Sequence, residues 1–297
     1  MEAAGPVATN AFQNISGQIL FTTVQEEYLS EEFKFTQMIP VRQSPFLQGE
    51  KIPGITPIGD ESQVVNEYEE FPMVGVSETY IETPDPRKRG MRIAVTREAI
   101  FGDRTGVLLD RVSKTGYWLG VNKEKRAIDV VIDENGGATS GSLTHRYRYR
   151  GDLMATYGQN ASTHAFDNLE TANALLNFVN LDAAEQLFAN MRDPDTGEPI
   201  SIMADTLITA PGLSNRAFHV LRTISVELAA GGYAQSGNLY RTVADSPTGK
   251  SEFSSTYKYV TSRLLADRLA TDTDWFLGRP SKAFAYMENW PMQTLTA

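Results

Sequence analysis

The sequence predicts an α+β protein in which a long extended hairpin leads into a long helix and then into a mixed region of helices and strands. Three observations carry this prediction: a polar segment marked by Gly and Pro from Gln43 to Pro86, an amphipathic run from Thr96 to Val131, and mixed patterns after Asp167. Gly and Pro interrupt helices, whereas apolar residues three or four positions apart indicate one. Both kinds of structure therefore occur in one chain.

Composition restricts the class of protein. The 297 residues are 41% hydrophobic and 22% charged, as in ordinary globular proteins. The net charge of -10 argues against a protein that coats itself in nucleic acid. The absence of cysteine excludes disulfides, thiolate metal sites and cysteine nucleophiles. No apolar run approaches the roughly 20 residues of a membrane span, and no signal peptide pattern opens the chain, so we expect folding in a cytoplasm without membrane contact.

Residues 1–45 are expected to form an N-terminal arm and its lead-in. The first 17 are small and mostly polar, with no core of their own. Helical spacing then appears at Leu20, Val24 and Tyr28, and the following apolar residues suggest an extended segment; these are Phe33, Phe35 and Met38.

The Gly/Pro-marked segment predicts two extended limbs that join near Gly59–Glu61. Such a two-stranded hairpin is only marginally stable alone in water, and the neighbouring sequence offers no second layer for it. An irregular surface loop is the alternative, although a loop of this length is unusual in a compact domain.

The run from Thr96 to Val131 predicts a long helix with one apolar stripe and an Asp110–Lys114 pair on its polar face. Glycines interrupt this stretch, and each costs about 1 kcal/mol relative to alanine; they are Gly102, Gly106, Gly116 and Gly120. A helix that keeps them is expected to pack closely against other backbone or to bend, and a break near Gly116 stays open.

The later sequence predicts several helices and strands. Helices are expected at Asp167–Phe178, at Leu181–Arg192, after Pro211 and at Arg263–Leu269. Late strands are expected at Tyr257–Val260, Trp275–Leu277 and Ala283–Tyr286.

Motifs for catalysis and for ligand binding fail on inspection. The glycines of Gly136–Ser142 have the spacing of a phosphate-binding loop, but Ser142 stands where the lysine should be. Asp193–Glu198 resembles the start of a calcium loop only in part, so an ordinary turn is expected. The three histidines show no ligand spacing, and no G-x-S-x-G motif occurs. We therefore expect no enzyme, no cofactor and no metal site.

Two charged groups are the candidate contacts with other copies of the chain. Basic residues stand at the base of the hairpin, and acidic residues follow its presumed turn: Arg87, Lys88, Arg89 and Arg92, and Asp60, Glu61, Glu67, Glu69 and Glu70. We expect the acidic limb of one copy to meet the basic base of another. Exposed ion pairs contribute only about 0–1 kcal/mol each, but symmetry repeats them.

Blander alternatives stay open for both signs of charge. The acidic residues would equally suit a solvated face. The run Arg146–Arg150 interleaves arginine and tyrosine as nucleic-acid binders do, so direct DNA binding is a further alternative.

The join between hairpin and helix resembles that of tailed-phage major capsid proteins of the Hong Kong 97 type. In that family an extended limb ends in glycine, then basic and apolar residues alternate before a Thr-Arg-Glu helix start and an acidic residue. The matching residues here are Gly90–Val95, Thr96–Ile100 and Asp103. Later stretches also resemble the family, in family order: Ala189–Arg192, Gly197–Pro199, Asp205–Pro211, Asp274–Gly278 and Lys282–Tyr286.

The resemblance implies an HK97-like fold in four parts. These are an N-terminal arm over residues 1–45, an extended loop over 46–86, a peripheral domain with its spine helix over 87–166, and an axial domain over 167–297. Late segments would return to the peripheral domain. Because the arm begins almost at once, no fused scaffolding region is expected.

The function that the resemblance implies is that of a major capsid protein in the virion, assembled in the host cytoplasm. Copies would form hexamers and pentamers of an icosahedral head that encloses double-stranded DNA without sequence-specific binding. Portal, scaffolding and decoration proteins are the further partners implied. An encapsulin-like compartment shell and a soluble carboxylate-dependent hydrolase are the alternatives.

Overall fold

The structure is a computed structural model, and it confirms the mixed α+β class. It describes residues 21–46, 48–55, 64–67, 70–71, 78–92, 106–133, 148–149, 152–153, 156–158, 167–193, 196–222, 226–228, 240–242, 257–269 and 271–293. The chain divides into two compact units. The first comprises Met1–Gln48, Asp85–Ala127 and Ala285–Ala297, and the second comprises Gly49–Pro84 and Ile128–Phe284.

The first unit gathers short N-terminal elements around one long helix. Its elements are α1 (21–28), α2 (Lys34–Met38), β1 (Val41–Gln43), most of α3 (Val107–Ile132) and β11 (Tyr286–Glu288). Strands β1 and β11 pair in parallel, with Val41 opposite Tyr286. The bonds from Tyr286 N to Pro40 O (2.9 Å) and from Ser44 N to Glu288 O (3.1 Å) extend this pairing. Chain segments far apart in sequence therefore share one small sheet.

Two glycines of α3 let the backbone of other segments approach the helix. A Cβ atom on Gly116 would lie 2.4 Å from the carbonyl oxygen of Val24, and one on Gly120 would lie 2.3 Å from the ring of Phe33. The predicted close packing is confirmed at both positions. The helix runs unbroken from Val107 to Ile132, so the alternative of a break at Gly116 is wrong. The predicted helix start at Thr96 lies outside the described residues.

The segment expected to be extended after Phe33 is helical. Helix α2 has no capping side chain at its own N-cap, Phe33. The fully buried carboxylate of Glu124 in α3 takes that role, accepting hydrogen bonds from Phe35 N (2.8 Å) and Thr36 N (2.9 Å) and from the Thr36 hydroxyl. Amide groups at a helix start have no partner within the helix, and the cap supplied by α3 allows this short helix to form.

In the second unit, the predicted antiparallel limbs are confirmed at their base. Strands β2 (Lys51–Ile55) and β3 (Glu78–Glu82) pair antiparallel, with Lys51 opposite Glu82. The turn expected near Gly59–Glu61 lies outside the described residues. Contrary to the expectation of an unsupported hairpin, β3 also pairs with β4 (Arg148–Tyr149), which pairs with β5 (Asp152–Leu153). Because the sheet has four strands, its pairing does not rest on two strands alone.

The core of the second unit packs helices against a three-stranded sheet. Its elements are α4 (Phe178–Asn190), β6 (Thr206–Thr209), α5 (Ser214–Arg222), β9 (Lys258–Thr261), α6 (Arg263–Arg268) and β10 (Trp275–Gly278). Buried β6 lies in the centre, parallel to β9 and antiparallel to β10. The buried cluster beside it consists of Leu175, Leu181, Leu207, Ala217, Val220, Leu221 and Tyr257.

Ion pairs and turns complete this unit. The Arg268 guanidinium binds both carboxylate oxygens of Asp129 in α3, with Nε 2.6 Å from Oδ1. A short 3-10 turn, Pro211–Leu213, leads into α5, as the position of Pro211 predicts. Strands β7 (Val226–Leu228) and β8 (Tyr240–Thr242) form a separate antiparallel pair, and helix α7 covers Pro280–Ala283.

The predicted helix over Asp167–Phe178 is wrong. Residues 167–177 are irregular, and Ala172 (φ 62°) and Leu175 (φ 48°) adopt left-handed backbone angles that a right-handed helix excludes. The Asn180 side chain accepts a hydrogen bond from Leu176 N at 3.0 Å. With Asn177 it also forms a capping box, which starts α4 earlier than its apolar face suggests.

No helix in the described ranges combines the length and hydropathy that a membrane span requires.

Candidate functional site

The base of the hairpin is fastened by a hydrogen-bonded pair just outside its strands. The Glu50 amide donates to the Thr83 hydroxyl (2.8 Å), and the Thr83 amide donates to the Glu50 carbonyl (2.9 Å). One residue further in, Lys51 pairs with Glu82 at 2.9 Å and its ammonium lies 4.7 Å from the centroid of the Tyr80 ring. The hairpin therefore leaves its unit from a defined root.

The described part of the segment between β2 and β3 is largely exposed and has no strand pairing. The side chain of Val64 is 94% exposed and that of Phe71 is 84% exposed. Glu67 and Glu70, two of the predicted contact residues, are exposed beside them. Asp60, Glu61 and Glu69 lie outside the described residues. This segment thus presents both apolar and acidic side chains to solvent.

The basic segment, Arg87–Arg92, follows the two prolines after β3 as an irregular exposed strip. All of its residues are exposed, including Met91 at 55%. No ion pair between described residues involves Arg87, Lys88, Arg89 or Arg92. The positive charge predicted at the hairpin base is therefore available to another molecule.

A buried lysine joins three elements of the first unit. The ammonium of Lys123 lies 4.7 Å from the ring of Tyr286 and 5.3 Å from that of Tyr28, with Glu288 at 3.9 Å. Burial lowers the pKa of Lys123, partly opposed by the charge of Glu288. Burial, with the neighbouring Tyr286 and Glu288, raises the pKa of Tyr28 to about 12. This cluster ties α1 and β11 to α3.

A second feature of the first unit is an aromatic surface with carboxylates at its edge. We define the aromatic surface as Glu27, Leu29, Glu31 and Glu32, which follow or end α1, with Tyr117 and Trp118 of α3. The Tyr117 hydroxyl donates to Glu32 at 3.4 Å, and the Tyr117 and Trp118 rings meet edge to face at 6.0 Å. Trp118 is 57% exposed and Leu29 is 63% exposed.

Sequence reasoning missed this surface because it looked for charge at the hairpin and for an apolar stripe on the helix. A signal existed in Trp118, a large aromatic residue that lies outside the stripe of the long helix. Large apolar side chains exposed on a folded chain mark interaction surfaces when they cluster. The exposed set in the described residues also includes Phe46, Leu176, Met203, Phe218 and Trp290.

The motifs rejected at the sequence level gain no chemistry in the described residues. Asp193 begins a tight turn: its side chain accepts from Thr196 N (3.0 Å), its carbonyl accepts from Gly197 N (2.8 Å), and Gly197 has a φ of 72°. The expectation of an ordinary turn is confirmed there. His219 lies within α5. No group of three or more potential metal ligands occurs among the described residues, and Gly136–Ser142 lies outside them.

Comparison with protein families gives a match over more than half of the chain. A family model described as phage capsid protein matches residues 80–296. The matched range begins in β3 and includes the basic segment, α3 and every later element. No curated protein and no solved structure matches the chain significantly.

Proposed function

Because the chain belongs to the phage capsid protein family, we propose that it is the major head subunit of a tailed phage, assembling as hexamers and pentamers into an icosahedral shell. The family makes the protein a structural component of the virion that assembles with copies of itself, and not an enzyme. The alternative of a carboxylate-dependent hydrolase is therefore wrong.

One observation carries the proposal: the segment between β2 and β3 exposes large apolar side chains. Val64 and Phe71 are 94% and 84% exposed. Burial of apolar surface contributes about 25 cal/mol per Å², so covering these side chains with another copy stabilises an assembly. In the monomer the same side chains remain in water, where they stabilise nothing.

The proposed parts of the subunit follow the HK97-like plan. Residues 1–45 form the arm, 46–86 the extended loop, 87–166 the peripheral domain with α3 as spine helix, and 167–297 the axial domain. The parallel pairing of β11 with β1 supports a return of the last segments to the peripheral domain. The fastened root at Glu50 and Thr83 supports a loop that projects as a unit.

The charged residues predicted from the sequence are proposed as contacts between copies. The exposed basic segment supplies Arg87, Lys88, Arg89 and Arg92, and the loop supplies Glu67 and Glu70. The same role is proposed for Asp60, Glu61 and Glu69. Each exposed ion pair contributes only about 0–1 kcal/mol, so the pairs fix orientation while apolar burial supplies most of the association energy.

The proposed cargo is double-stranded DNA, enclosed without sequence-specific binding. The net charge of -10 supports this, because an acidic subunit gains little from contact with phosphates. Portal, scaffolding and decoration proteins are the proposed further partners, and assembly in the host cytoplasm is the proposed route.

The test replaces residues 56–77 by an Asn-Gly turn. This keeps β2 and β3, whose last pair is Ile55 with Glu78, and supplies a turn that suits two-residue hairpins. We expect a folded subunit, with an unchanged circular dichroism spectrum, that sediments without shells.

A second variant, Val64→Ser with Phe71→Ser, keeps the loop at full length and removes its apolar side chains. We expect it to assemble less than the native chain at the same concentration. Normal shells from both variants would overturn the role of the loop. Shells that contain protein and no DNA would instead favour the compartment alternative.

A further inference from the structure

We propose that the basic segment of one copy docks on the aromatic surface of a second copy. This inference rests on the proposed function, because the partner is the chain itself. It names the acceptor of Arg87–Arg92, which the sequence alone assigned to the acidic limb of the loop.

The aromatic surface is held rigidly by its surroundings. The Phe33 ring contacts the Tyr117 ring, with centroids 5.7 Å apart. Behind them, Gly116 and Gly120 allow Val24 and Tyr28 to lie directly against α3. A surface that is already ordered loses little conformational entropy when a partner binds.

The carboxylates of this surface have no compensating cation in the described part of the chain. No ion pair between described residues involves Glu27, Glu31 or Glu32. Burial, then the charge of Glu32, its hydrogen bond and the charge of Glu27 raise the pKa of Tyr117. Negative potential therefore extends over the Tyr117 ring, and beside it Trp118 offers an exposed face.

The basic segment has the matching chemistry. Its cations suit carboxylates, and arginine or lysine above a Trp or Tyr face is attracted by the ring quadrupole. Met91 lies among the basic residues and is exposed, and thioethers make favourable contacts with aromatic rings. Nothing lies within 4 Å of the position that a Cβ on Gly90 would take, so the strip has room for a partner.

The loop carboxylates are the competing acceptor, and the structure favours them less. Glu67 and Glu70 are exposed on a segment with no strand pairing among its described residues. Ordering such a segment costs free energy that a rigid surface does not. The proposed contact also joins two different patches, and head-to-tail contacts of this kind close into rings, as hexamers and pentamers require.

The absence of cysteine gives the test a clean background. Copies with Met91→Cys are mixed with copies with Leu29→Cys, assembled into shells and oxidised. Leu29 is exposed in the aromatic surface, and a disulfide requires Cα atoms within about 7 Å. We expect a covalent dimer on a non-reducing gel that exceeds the dimer formed in shells of either variant alone.

The matched control pairs Met91→Cys with Val64→Cys, because Val64 is exposed on the loop near the competing carboxylates. Little dimer is expected from this mixture. The reverse result, dimer with Val64→Cys and none with Leu29→Cys, would overturn the inference and leave the capsid function standing. If neither mixture gives a dimer although shells form, the inference is also overturned. Failure of the cysteine-free chain to form shells would instead count against the proposed function.

Discussion

At the residue scale, single side chains and missing side chains decide how the first unit packs. Glu124 caps a helix that lies far from it in sequence. Gly116 permits an approach that any larger residue blocks, because the nearest atoms belong to the Val24 backbone. A flexible side chain could move aside, but a backbone segment moves only with its whole helix.

We predict that Gly116→Ala destabilises the unassembled chain although alanine favours helices. The gain in helix propensity is about 1 kcal/mol, and overpacking of a tight core costs about 1–3 kcal/mol; the clash at 2.4 Å makes the loss dominate. Urea unfolding measures the difference. Gly212→Ala is the matched control, since nothing lies within 4 Å of its added Cβ; equal midpoints for the two variants would refute the packing explanation.

Residue patterns predicted local structure well where local forces decide it. The apolar stripe predicted α3, and the glycines retained in that stripe predicted its close packing. Patterns failed where a distant group decides. Phe33 to Met38 became helical because Glu124 caps it, and residues 167–177 are irregular because asparagine side chains bind their backbone. The aromatic surface was missed for the same reason, since it combines α3 with the end of α1.

At the element scale, the cluster around Lys123 joins α1, α3 and β11. Its tyrosine makes the joint sensitive to alkaline pH. The pKa of Tyr28 is raised from 10.0 to about 12, so the folded chain keeps a proton that the unfolded chain releases. The resulting contribution to stability is present below pH 10 and is lost as the pH rises through 12.

We predict that Tyr28→Phe removes this part of the alkaline dependence. The free energy of unfolding of the native chain should fall relative to that of the variant between about pH 10 and 12, with a constant difference below pH 10. Phenylalanine keeps the ring beside Lys123, whose lowered pKa acts with the opposite sign and is common to both proteins. Urea titrations over this pH range test it, and parallel curves throughout would contradict it.

At the scale of the whole molecule, a subunit that exposes large apolar side chains and a basic strip is built to associate. The family follows from segments spread over residues 80–296, which the sequence pattern had matched in order. The contacts between copies were harder to predict, because an interface joins surfaces of two molecules and leaves no period in one sequence. Exposure in the folded chain reveals them.

The most direct test is electron microscopy of the purified native chain across a range of concentration and ionic strength. We predict closed shells built of hexamers and pentamers. A monodisperse monomer or dimer under every condition would contradict the proposed role as head subunit.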